Sequence, residues 1–278
     1  MNQQNNYILK SLILPFLFAF SSSNAMFGPL IKRTAQWQEN KRKHETKLKE
    51  VRQLTTVTAV DHEISTIKND IHKECFTELG YITKFPYNEL ENLFDKEKTL
   101  VKKALQKEKP YITQEHDDNI PLSMYKNLIF TIQEEKINPK NLKLKYKIKP
   151  NNKTLMADSR GASYSTKARI RIYNILSQCS KSCQLFTFYH ELAHLLLCHG
   201  LIDLFAKTAS PGKPNMTKLL SIEEREADIH AASKNAQIAY SGMEQRCTFG
   251  HTLILDSQSH CHQMQIMYEL MKQKEKLS

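Results

Sequence analysis

Several features that define whole classes of protein are absent from this sequence. No stretch after residue 25 approaches the roughly 20 apolar residues that span a bilayer, and there is no internal repeat, low-complexity tract or nucleic-acid-binding motif. These absences disfavour a repeat array and a nucleic-acid-binding module. The 278 residues, 40% apolar and 25% charged, have the composition of a soluble globular protein. The length suits one large domain or one domain with an appendage.

The charge balance is basic, with 40 Lys and Arg against 29 Asp and Glu. A basic balance favours acidic partners, anionic membranes or nucleic acid. Here the basic residues are spread along the chain with little aromatic interleaving, so we interpret them as a solvated lysine-rich surface and expect no nucleic-acid partner.

The first 25 residues have the pattern of a signal peptide. Lys10 is their only charge, residues 11–20 are apolar, and small residues precede a cleavage site after Ala25. We therefore expect an exported protein, periplasmic or secreted. Cysteine is absent at the cleavage point, which disfavours a lipoprotein anchor, and membrane association is expected only if the segment stays uncleaved. The alternative is an intracellular protein, which a mature N-terminus at Met26 would exclude.

Six cysteines follow this segment, enough for up to three disulfides in an oxidising compartment. The spacing from Cys179 to Cys183 does not match a structural zinc knuckle. Cys198 lies in an apolar run, where a small buried residue is the simpler interpretation.

The chain divides by pattern into a helical half and a mixed half. Residues 26–140 are expected to form a helical N-terminal region that begins with a basic arm. Apolar residues recur at helical spacing in three segments, and residues alternate as in half-buried strands in two more. The predicted helices are Asp61–Leu79, closed by Gly80, then Asn88–Glu108 and Ser123 to about Lys136; the predicted strands cover 142–148 and 168–173.

Residues 185–200, LFTFYHELAHLLLCHG, carry the strongest chemical signal. The helix is apolar on nearly every side, so it is expected to be buried, and buried His190, Glu191 and His194 need partners. Two histidines four residues apart project from one helical face and can bind one zinc ion. Glu191 is then placed to act as a general base. The competing interpretation, two surface histidines and a solvated glutamate, requires a more polar helix.

A catalytic zinc ion usually takes a third protein ligand, and Glu224 is the candidate. Asp228, four residues later, can accept the second ring N–H of a ligand histidine. The alternative for Glu224 is helix capping, because Ser221 and Glu224 form a capping-box pattern. His199 is the alternative third ligand, but the three-histidine motif requires glycine at 197 and histidine at 200, so we expect His199 at the helix end with Gly200 as its cap.

HELAHLLLCHG followed by EEREADIHAA resembles the HtpX/BepA-like zinc metalloproteases, gluzincins related to the CAAX prenyl proteases. ARIRIYNIL resembles the strand that precedes the metal helix in that family, and residues 239–242 its small-residue and glycine turn. Residues 259–261 resemble its Thr-His-Pro segment, although Cys261 replaces the proline. The family's following arginine is missing, and the short span between the motifs also resembles the ImmA/IrrE-type metallopeptidases.

The resemblance implies an α+β, mainly helical, zincin-like fold, with a small sheet beside the buried HExxH helix and a second helix that carries the glutamate. It implies a metallopeptidase domain over residues 141–278 and one Zn²⁺ per chain on His190, His194 and Glu224. Glu191 would be the catalytic base. His260 is the candidate oxyanion donor, with Tyr240 and His262 as alternatives.

The expected partner is a polypeptide substrate, held by addition to a free sheet edge at residues 168–173, which would favour endoproteolysis of unfolded or flexible chains. Three alternatives stay open: a zinc-bearing binding or chaperone-like module, an ImmA/IrrE-type metallopeptidase with another substrate, and the same metal chemistry on a non-peptide bond.

Overall fold

The computed structural model describes residues 24–109, 119–147, 156–161, 168–210, 216–248 and 257–278. Most of the predicted signal peptide, residues 1–23, lies outside the described residues. The described helices are α1 (Asn24–Arg52), α2 (Val57–Thr83), α3 (Tyr87–Gln106), α4 (Leu122–Glu134), α5 (Lys181–Leu196), α6 (His199–Ala209), α7 (Thr217–Ala232), α8 (Ala236–Thr248) and α9 (Ser257–Leu277). The described strands are β1 (Lys143–Lys147), β2 (Ala157–Arg160) and β3 (Arg169–Tyr173).

The chain separates into two compact units, Met1–Glu50 and Val51–Ser278. In the first unit, exposed charges pair along α1; Glu39, for example, contacts Arg42 at 2.8 Å. This agrees with the expected basic helical arm. The second unit begins much earlier than the predicted boundary at residue 140, because α2, α3 and α4 belong to the same unit as the sheet and the later helices.

The three helices predicted before residue 140 are confirmed, with shifted ends. Helix α2 begins earlier than Asp61 because the Thr56 hydroxyl accepts the backbone N–H of Ala59 and caps the helix. It also continues through Gly80. Lys84 ends it in the left-handed conformation, at φ 64°, where its N–H bonds to the Gly80 carbonyl.

The sheet has three strands in the order β1–β3–β2, with β1 parallel and β2 antiparallel to β3. Both predicted strands are confirmed. Strand β2 was not predicted because its four residues, ADSR, show no alternation of apolar side chains. The expectation that residues 168–173 offer a free edge is wrong, since β3 is the central strand and pairs on both sides.

Helix α5 lies between the two apolar clusters of the second unit. Phe186 and Tyr189 pack with α2, α7, α8 and α9 on one side, and Phe188 and Leu192 pack with α4 and the sheet on the other. The prediction of a helix buried all round is therefore confirmed. Strand β3 precedes α5, as the family resemblance implied.

Helix α8 approaches α5 closely at a glycine. Residues 239–242 were expected to form a turn, but they lie inside α8, so that prediction is wrong. A Cβ atom on Gly242 would lie 2.2 Å from Cε2 of Phe186, whose ring is buried. Gly242 therefore sets the distance between the two helices.

We expect Gly242→Ala to lower the free energy of unfolding by about 1–3 kcal/mol, because the Phe186 ring must leave its position in a packed core. Chemical denaturation of the variant measures this. Adding Phe186→Leu should make room for the methyl group and reduce the penalty of the alanine. An alanine variant as stable as the parent would contradict the close contact.

The five cysteines whose side chains are described are free thiols: Cys75, Cys179, Cys183, Cys198 and Cys261. No disulfide is therefore present within this set. A hydrogen bond with Cys183 lowers the pKa of the Cys179 thiol to about 7.

No single helix among the described residues is both long enough and apolar enough to cross a membrane. The pair α5 and α6 passes that test jointly, with a bend of 46° between them.

Candidate metal centre

Helix α5 presents His190 and His194 on the same side, one turn apart. Their rings meet edge to face with centroids 4.6 Å apart, and their Nε2 atoms are separated by 3.0 Å. His190 is buried, while His194 is half-buried beside it. The predicted pairing of these two imidazoles is present in the structure.

Helix α7 brings Glu224 to the same point. One carboxylate oxygen lies 3.5 Å from Nε2 of His190 and the other lies 3.5 Å from Nε2 of His194. The capping alternative for Glu224 is wrong, because α7 begins at Thr217 and Ser221 is already inside the helix. Burial alone would raise the pKa of Glu224, but hydrogen bonds with the two histidines hold it well below its ordinary value.

These three side chains could hold one metal ion. One ligand atom from each lies within 4.8 Å of the other two, which no other group among the described His, Cys, Asp and Glu side chains achieves. Zinc bonds of 2.0–2.1 Å in a tetrahedral arrangement separate neighbouring ligands by roughly 3.3 Å. The observed separations of 3.0 and 3.5 Å bracket that value.

Asp228 holds the outer nitrogen of His190, as predicted. Its Oδ1 lies 2.7 Å from Nδ1 of His190, and its side chain is completely buried. Burial by itself lowers the pKa of His190, but Asp228, followed by Glu224, outweighs burial and raises it to about 10. Because Nδ1–H donates to Asp228, Nε2 is the ring nitrogen directed toward His194 and Glu224.

His260 lies elsewhere than an oxyanion donor requires. It is 1% exposed, its Nε2 lies 2.7 Å from Oδ2 of Asp228, and it does not line the cavity. The predicted catalytic role is thus not supported by its position. His260 contacts Oδ2 of Asp228, whereas His190 contacts Oδ1. Its connection to the candidate metal centre is therefore indirect, through Asp228.

His199 holds the outer nitrogen of His194. The expectation that it ends the metal helix with Gly200 as the cap is wrong: α5 ends at Leu196, Cys198 adopts φ 62°, and His199 begins α6. This break turns the His199 ring back, so its Nδ1 lies 2.7 Å from Nδ1 of His194. The alternative of His199 as third ligand fails for the same reason.

A polar chain continues from His199 into the helical core. Nε2 of His199 lies 3.1 Å from Glu226, the other Glu226 oxygen lies 2.7 Å from Nδ1 of His72, and Lys98 lies 2.8 Å from Nε2 of His72. Burial lowers the pKa of His199 to about 4, so this ring is neutral near pH 7. It therefore donates to Glu226 and accepts from His194.

Glu191 lies beside this centre, in a buried position with access to a cavity. Burial raises its pKa above the ordinary value, while His190 and His194 oppose the shift and Ser159 hydrogen-bonds to its carboxyl group. The cavity has a volume of about 540 Å³ and is lined by the two histidines, Glu191, Glu224 and strand β2. That volume falls in the range typical of ligand sites.

Several residues of the site were not predicted. Ser159 has no sequence signal, since it lies on the unpredicted strand β2. His199 was expected to lie at a helix end, but the break at Cys198 brings its ring into contact with His194 on one side and with Glu226 of α7 on the other. The structure shows that α7 is buried along most of its length despite the charged sequence EEREAD.

Comparison with known proteins found no matching family model, no matching curated protein and no matching solved structure. The functional argument therefore depends on the geometry of the site.

Proposed function

We propose that this protein is an exported, zinc-dependent metallopeptidase that hydrolyses peptide bonds of unfolded or flexible polypeptides. The observation that carries the proposal is the convergence of His190, His194 and Glu224 at separations that suit one zinc ion, next to the buried carboxyl group of Glu191. The HtpX/BepA-like resemblance and a zincin-like fold are part of the same proposal.

The hydrogen bonds around the centre support a cation at this point. Asp228 and the neutral ring of His199 occupy the two Nδ1 positions. Both Nε2 atoms and the Glu224 carboxylate then face one another at 3.0–3.5 Å. Three electron-rich groups at this distance repel unless a proton or a metal ion lies among them.

Two imidazoles and a carboxylate form the donor set of many catalytic zinc sites, which leave a fourth position open. When bound, zinc lowers the pKa of a coordinated water molecule and polarises a carbonyl group. Glu191 accepts the proton of the attacking water and transfers it to the leaving amine. Burial raises the pKa of Glu191 above its ordinary value, which makes this carboxylate a stronger base toward the attacking water than an exposed glutamate.

Strand β2 supplies a means of holding an extended peptide. It is an edge strand that lines the cavity. Tyr173 donates its N–H to the Met156 carbonyl, so Met156 faces β3. In an antiparallel pair, successive residues direct their backbone N–H and C=O groups alternately toward the partner strand and away from it. Ala157 and Ser159 therefore direct theirs away from β3. A substrate strand can pair with these groups.

Removal and return of the metal tests the proposal. We expect the purified protein to carry one zinc ion, to lose cleavage of an unfolded protein on chelation, and to regain it with one equivalent of zinc. Cleavage that survives complete metal removal would contradict the proposal. Zinc binding without cleavage of any unfolded polypeptide would instead favour a zinc-bearing binding or chaperone-like module.

A further inference from the structure

Two acidic side chains line the cavity without belonging to the candidate metal centre. Asp203 lies on α6, one turn after His199, and Glu223 lies on α7, next to Glu224. Glu223 is only 2% exposed, and Asp203 is half-buried. The cavity therefore has an acidic region in addition to the residues proposed to act in catalysis.

Each of these carboxyl groups has a buried oxygen without a hydrogen-bond partner among the described residues, Oδ1 of Asp203 and Oε1 of Glu223. Leaving a buried acceptor unpaired destabilises the fold, and more so if the acceptor is charged. Lys207, one turn beyond Asp203, is exposed. The cavity at this point thus offers acceptors to a donor that comes from outside the fold.

The occupant is better matched by an organic cation than by a second metal ion. Among the described side chains, the only group that satisfies the criterion for a metal site is His190, His194 and Glu224. The cavity lining also contains apolar side chains, including Leu195 and Leu220. An aliphatic stem with a cationic end, as in lysine and arginine, can contact both kinds of surface.

We propose that Asp203 and Glu223 form a subsite that binds an ammonium or guanidinium group of the peptide substrate. The inference rests on the proposed peptidase function and specifies its substrate class. It directs cleavage to peptide bonds near a positively charged group, which is a Lys or Arg side chain or the amino terminus itself.

Binding to the Glu191→Gln variant tests the subsite without requiring catalysis. Fluorescent peptides that differ only in one residue, lysine or its uncharged isostere norleucine, are titrated with the zinc-loaded variant, each with a free and with an acetylated amino terminus. We expect a positive group to tighten binding about 10- to 100-fold, the range for a hydrogen bond to a charged partner.

The acetylated pair separates the two sources of charge. Preference for lysine that survives acetylation assigns the subsite to a side chain, and tight binding lost on acetylation assigns it to the amino terminus. Equal binding of all four peptides would overturn the proposal and leave the metallopeptidase proposal standing. If the parent protein shows no zinc-dependent cleavage while the variant still prefers positively charged peptides, the peptidase proposal alone would be overturned.

Substitution of Asp203 and Glu223 tests the same subsite from the side of the protein. Asp203→Asn and Glu223→Gln, each added to the Glu191→Gln background, should reduce the ratio of affinities between the tightly bound cationic peptide and its counterpart without that charge, norleucine or acetylated, about tenfold or more. Glu244→Gln removes an exposed acid from α8 and is the control for a general change in charge. An unchanged ratio in folded variants, verified by thermal denaturation, would contradict the assignment of these two residues.

Discussion

Replacing Glu191 with glutamine should abolish cleavage while leaving zinc bound. Glutamine has nearly the same shape as glutamate, but its amide cannot accept the proton of the attacking water. General-base catalysis contributes about 10²- to 10⁴-fold to a rate, and we expect a loss of that size. Glu191 lies outside the group of three ligands, so the zinc content of the variant should equal that of the parent.

The measurement is the rate of cleavage of a quenched fluorescent polypeptide, with bound zinc assayed in the same samples. Glu244→Gln is the matched control, because it makes the same chemical change at an exposed position. A Glu191→Gln variant that keeps most of its activity would remove Glu191 from the proposed role. Loss of both zinc and activity would show instead that Glu191 supports the metal site.

Replacing Glu224 with glutamine should weaken zinc binding by more than about 100-fold. Changes to the outer partners of metal ligands alone cost about 10- to 100-fold in affinity, and Glu224 is proposed to contact the ion itself. The substitution also removes the negative charge that compensates the cation. Asp228→Asn, which alters only the partner of His190, should fall within the smaller range.

Competition with a chromophoric chelator gives the two affinities, and thermal denaturation gives an independent check. A ligand at 100 times its dissociation constant stabilises the folded state by about 2.7 kcal/mol. We therefore expect added zinc to raise the melting temperature of the parent and to have much less effect on Glu224→Gln. Equal zinc affinity in the parent and this variant would exclude Glu224 as a ligand.

The local elements could be predicted because their signals are short-range. The 3.6-residue spacing of apolar residues identified α2, α3 and α4, and alternation identified β1 and β3. Strand β2 was not predicted, because it forms by pairing with β3 and its own four residues carry no alternation of apolar side chains. The boundary between units was misplaced because contacts of α2 with α7 and α9 span more than a hundred residues of sequence.

The same distinction applies to the site. The spacing of His190 and His194 on one helical face follows from helix geometry, so the pair was visible in the sequence. Glu224 and Asp228 were also paired correctly along one helix. The role of His260 was taken from a resemblance, and its position behind Asp228 depends on how α9 packs, which no local pattern contains.

By itself, the sequence determined the buried helix α5, its two histidines and Glu191, since periodicity and the cost of burying polar groups both act within a few residues. Only the tertiary structure decided which second partners these side chains have. The break at Cys198 brings His199 against His194, and the crossing of α5 and α7 brings Glu224 between the two histidines. Such contacts arise from the packing of separate elements in space, and local sequence patterns do not specify that packing.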